Sequence, residues 1–103
     1  MYNNHDILLK NFEEVAHASV NSTYMEFLHA IKHVNKLNNE DSIQSWIRKY
    51  VDNLRQKLHS KAMEYLLTNR HVPTIDWLNK KVEYTIKYSL QEFLYRTEVR
   101  SYI

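Results

Sequence analysis

Apolar positions recur every three to four residues along almost the whole chain, the period of a helix. Between about Asp6 and Leu37 the stripe runs Leu8, Phe12, Val15, Ala16, Val20, Tyr24, Phe27, Ile31 and Val34, which predicts a helix. Inside it, Thr23 and Glu26 have the spacing of a T-x-x-E capping box, so one bent helix and two short ones both satisfy the pattern. After Asn38-Asn39 a second helix is expected, capped by Asp41 or Ser42 and running to about Thr68. Its Ile43, Ile47, Tyr50, Leu54, Leu58, Ala62 and Tyr65 follow one another at four- and three-residue steps, a seam that packs helices nearly antiparallel. Asn69 is placed to terminate that helix and Pro73 forbids its continuation. Thr74 then caps a last helix reaching about Val99, with Ile75, Leu78, Val82, Ile86, Leu90 and Phe93 toward the core. The expected architecture is a single all-α domain spanning 1-103, a small three- or four-helix bundle with a long C-terminal helix.

The last helix carries a second pattern. At about 100° per residue, Trp77, Tyr84, Tyr88, Tyr95 and Tyr102 fall within a sector about 40° wide, roughly 160° from the aliphatic stripe. The helix's single Phe, Phe93, lies on the aliphatic side. This sorting is chemical as well as geometric: Tyr and Trp join an apolar body to a polar tip and suit a boundary that is half dry and half wet. The line therefore reads as a partner-binding face, flanked by Lys80, Lys81, Lys87 and Arg96. Three occupants fit it: neighbouring helices of the same chain, a second copy pairing across seven-residue steps, or another protein.

Composition narrows the chemistry. The chain has 103 residues, no cysteine, no glycine and one proline, so disulfides and thiolate metal sites are excluded. Glycine-dependent phosphate loops and dinucleotide-binding turns are excluded too. The segment MYNNHDILLK lacks a basic n-region and a long apolar run, and no stretch approaches a membrane span, so a cytoplasmic protein is expected. Asn21-Ser22-Thr23 matches a glycosylation acceptor that such a location leaves idle. Net charge is +2 but uneven, with three Lys against six acids up to residue 41 and eleven Lys/Arg against six acids after it. The basic half fits either an acidic partner or electrostatic matching between helices.

No catalytic constellation emerges. Glu14-Val15-Ala16-His17 and Glu26-Phe27-Leu28-His29 share the E-x-x-H spacing of carboxylate-bridged di-iron bundles, whose ligands project inward. Here Glu14, His17, Glu26, His29 and His33 lie off the apolar stripe, so both motifs are expected in solvent, and His29 with His33 supplies at most a surface chelate. No Ser sits in a glycine-flanked elbow or beside an evident base. The expectation is a protein that is not an enzyme, with no cofactor, metal or small-molecule substrate: a small regulator or inhibitor that binds protein stoichiometrically, its richness in Asn, Lys, Ile and Tyr being associated with accessory proteins of AT-rich or mobile genomes. Homodimerisation through the aromatic face is the leading form. Nucleic-acid binding is the alternative, since Arg48, Lys49, Arg55, Lys57 and Lys61 add to the basic margin of the last helix, and bases with interleaved aromatics suit phosphate contact and stacking.

Overall fold

A computed structural model describes the backbone of residues 4–32 and 40–101, and the side chains of 6–32 and 43–98. These residues form three helices, α1 (Asn4–Ile31), α2 (Glu40–Thr68) and α3 (Ile75–Ser101). Each helix packs against both others. At 28, 29 and 27 residues the three are matched in length, so α3 is not set apart by being long. No helix among the described residues is long and apolar enough to cross a membrane.

α1 is continuous through Asn21-Ser22-Thr23, where the sequence left open a break. Packing decides the matter: Thr23 is fully buried on the face that also buries Val20 and Phe27, and a helix end there would turn that face out of the core. Its hydroxyl is not a cap. It accepts a hydrogen bond from Lys57 Nζ of α2 at 3.2 Å, and the same ammonium reaches Glu26 Oε1 at 3.3 Å. Both residues of the apparent capping box thus serve one contact between helices. Ser22 bonds back to the Ser19 carbonyl at 3.2 Å, as hydroxyls do when a helix runs on past them.

The core is built from Phe12, Ala16, Val20 and Phe27 of α1, Ile47, Leu54, Leu58 and Ala62 of α2, and Leu78, Val82, Ile86 and Phe93 of α3. Val15, included in the α1 stripe, is exposed instead, because the buried sector there narrows to Phe12, Ala16 and Ser19. One end of the core is aromatic. Phe27 and Phe93 meet edge to face with centroids 5.9 Å apart, and Tyr24 and Tyr50 contribute further edges. Toward the other end, Tyr65 of α2 packs on Phe12 at 5.3 Å and its hydroxyl donates to the Leu8 carbonyl. No buried side-chain polar atom among the described residues lacks a partner.

α2 begins at Glu40, within a residue or two of the expected caps Asp41 and Ser42. It ends at Thr68, where the Tyr65 carbonyl accepts both the Asn69 backbone N–H at 3.1 Å and Asn69 Nδ2 at 2.8 Å. Asn69, Val72 and Ile75 are linked by successive backbone bonds around Pro73, and the Thr74 carbonyl accepts the first bond of α3 from the Leu78 N–H at 2.9 Å. The expected end of the first block, with Val34 and Leu37, and the Asn38-Asn39 break lie outside the described residues.

Candidate binding face on α3

Burial of Leu78, Val82, Ile86 and Phe93 fixes how α3 is rotated, and it thereby determines what the opposite side presents. Tyr84, Tyr88 and Tyr95 stand there at 56, 62 and 66% exposure. The Tyr84 and Tyr88 rings are stacked, with centroids 6.3 Å apart and planes 22° from parallel, as the four-residue spacing on one helix face allows. Trp77 differs from these three. It is half-buried against the core, and Lys81 Nζ lies 5.8 Å from its ring centroid. Tyr102 lies outside the described residues.

The cations divide in the same way. Lys80, Lys81 and Lys87 are exposed, and Lys80 and Lys87 join Glu83 and Tyr84 around an open hollow. Arg96 is turned to α1: its guanidinium donates to Asn21 Oδ1 at 2.8 Å, pairs with Glu92 and lies over the Tyr24 ring, while its backbone carbonyl accepts the Tyr24 hydroxyl. Arg96 therefore fastens α3 to α1 and is not a loose charge at the rim. The face that remains is a tyrosine ridge with lysines on both flanks of its N-terminal half.

The other candidate chemistry is dispersed. Glu14, His17 and His29 are exposed, and the Glu26 carboxylate is engaged by Lys57. Among the described residues no group of three or more His, Asp or Glu is placed to hold a metal ion, and His33 lies outside them. Burial pushes the Tyr65 phenol above its usual value, which favours the protonated donor already bound to Leu8.

Two features of the surface were not drawn from the sequence. Met63 and Leu67, four residues apart and off the α2 seam, are exposed and join Leu66, Ile75, Asp76 and Asn79 around an apolar hollow beside the α2–α3 turn. Trp46 and Tyr50 stack at 6.1 Å with Lys49 over the indole. The Met63/Leu67 spacing was a usable signal, masked by the stronger seam through Ala62 and Tyr65. No protein-family model matches the chain, and no curated protein or solved structure matches it either.

Proposed function

We propose that this three-helix bundle works without catalysis, as a small regulator or inhibitor that binds protein stoichiometrically through the outer face of α3, a second copy of the chain being its first partner. The observation that supports the reading is that Tyr84, Tyr88 and Tyr95 are all more than half exposed on one line, while Leu78, Val82 and Phe93 of the same helix are buried. Three such rings leave on the order of a few hundred Å² of largely apolar surface in water, the scale at which exposed patches mark interaction sites. Tyrosine is also the residue type that interfaces concentrate, because its ring buries area with few rotamers to freeze and its hydroxyl tolerates a wet edge. Lys80, Lys81 and Lys87 on the margins would speed encounter with an acidic surface more than they tighten the complex.

Sedimentation of the wild type and of the Tyr88→Lys/Tyr95→Lys variant tests this reading. The wild type is expected to self-associate in a concentration-dependent way, and the variant to remain folded and monomeric. An unchanged assembly state and unchanged partners in the variant would refute it.

One observation favours a second reading, in which the face binds single-stranded nucleic acid: the stacked Tyr84/Tyr88 pair lies beside Lys80 and Lys87, as base stacking with phosphate contact requires. Glu83 in the same hollow opposes it. An oligonucleotide mobility shift that collapses between about 50 and 200 mM salt would favour this reading over protein pairing.

A further inference from the structure

The tyrosine ridge belongs to a longer seam. Trp77, Lys81, Tyr84, Tyr88, Gln91, Tyr95 and Glu98 follow one another at four, three, four, three, four and three residues, the heptad spacing by which two helices interlock. From Lys81 to Glu98 every member of this seam is exposed. The series is about 33 Å long at 1.5 Å per residue, nearly the whole of α3. Its polar members sit near opposite ends, a cation at Lys81 and a carboxylate at Glu98, with an amide at Gln91 between them.

Resting on the reading of this face as a self-pairing surface, we infer that two copies pair through α3 in an antiparallel register that sets Lys81 opposite the partner's Glu98. Charge selects this arrangement. A parallel, in-register pair would bring Lys81 against the partner's Lys81 and Glu98 against the partner's Glu98, two like-charge contacts in one seam. The antiparallel pair turns both into attractions, one at each end of a two-fold axis, as a closed dimer requires. The same alignment sets Tyr84 opposite the partner's Tyr95, ring against ring, and Tyr88 opposite the partner's Gln91, ring against amide. Sliding the antiparallel pair by one heptad sets Lys81 opposite the partner's Gln91 and carries Glu98 past the end of the seam, leaving both charges without an opposite. Register and direction thus follow from one cation and one carboxylate.

The chain contains no cysteine, so a single introduced cysteine gives a unique label. With a spin label at Lys80→Cys, the inferred register separates the two labelled positions by about 28 Å along the axis, the one-heptad slide by about 18 Å, and a parallel pair by only the interhelical distance of about 10 Å. Lys81→Glu and Glu98→Lys are each expected to weaken dimerisation about tenfold in sedimentation, and the double exchange to restore it. Both positions are exposed, and circular dichroism confirms that each variant is folded. A wild type that stays monomeric at millimolar concentration removes the self-pairing reading itself. A dimer with the labels close together, or one indifferent to both single exchanges, leaves self-pairing standing and overturns the register.

Discussion

Phe93 and Tyr95 are two residues apart on one helix, carry rings of similar size, and are 0% and 66% exposed. They allow the division of α3 into a holding face and a binding face to be tested by one pair of substitutions. Phe93 meets Phe27 at 5.9 Å and Tyr24 at 6.3 Å, both edge to face. A buried Phe removes roughly 200 Å² from water, about 5 kcal/mol at 25 cal/mol per Å², and the compactness of the denatured chain trims that figure. Phe93→Ala is therefore expected to cost about 3–5 kcal/mol, the usual range for emptying such a site. Against a total of about 5–15 kcal/mol for a domain, that is about a fifth of the stability or more. Tyr95→Ala removes a ring with about a third of its surface covered, part of it by its own helix, and gains helix propensity of about 0.5 kcal/mol. Its cost should stay below about 1 kcal/mol. Urea unfolding followed by far-UV circular dichroism measures both, at a dilution where sedimentation shows monomer, so that loss of dimer does not register as loss of fold. Comparable losses from the two substitutions would place Tyr95 within the core and remove the basis for a binding face on α3.

Three further outcomes are expected. Lys57→Met keeps the aliphatic stem and deprives the buried Thr23 hydroxyl of its Lys57 donor; it should cost about 1 kcal/mol in urea midpoint analysis, more than Glu26→Gln, whose carboxylate is half in solvent. An equal effect of the two would contradict the role given to Thr23. Because burial raises the Tyr65 phenol above 10.0, folding holds a proton that the unfolded chain releases first. That contribution is whole below about pH 10 and is lost as pH rises through the elevated folded value. The stability difference between wild type and Tyr65→Phe should be flat near about pH 9 and shrink by about pH 11, and a constant difference would show that Tyr65 carries no such linkage. Asn69→Ala removes the bond from Nδ2 to the Tyr65 carbonyl and should lower thermal stability by about 0.5–1.5 kcal/mol, whereas a null effect would mean that the backbone bond from the Asn69 N–H suffices alone.

The helices were legible because a period of 3.6 over more than twenty residues admits one interpretation, and because Pro73 with Asn69 punctuates the only described turn. The continuity of α1 was not legible. A T-x-x-E pair at residues 23–26 describes a capping box and a tertiary clamp equally well, and only the approach of Lys57 from α2 distinguishes them. Local spacing states which side chains share a face; it does not state which of them meet a partner from another helix. Arg96 is a case of the same kind. Its place on the helix wheel is next to the tyrosine line, but a long side chain can swing toward a neighbouring helix, and α1 supplies Asn21 and the Tyr24 ring to receive it.

The same limit explains why the tyrosine line was visible in the sequence and the hollow at Met63 and Leu67 was not. A second stripe opposite the aliphatic one can be found by angle alone, whereas a hollow formed by two helices and the turn between them depends on how Ile75 and Asn79 come to lie beside α2. A helix in a three-membered assembly has two neighbours and one free side, so the residues opposite its buried stripe remain in water unless another molecule covers them. On α1, that side holds Ile7 and Met25 beside Glu14, and on α2 it holds Met63 and Leu67. On α3 it contains three tyrosines, whose rings water satisfies poorly, ordered at the spacing another helix would need. Exposed apolar residues occur on all three free sides, and what distinguishes α3 is that its three exposed rings follow the four- and seven-residue steps of a helix seam.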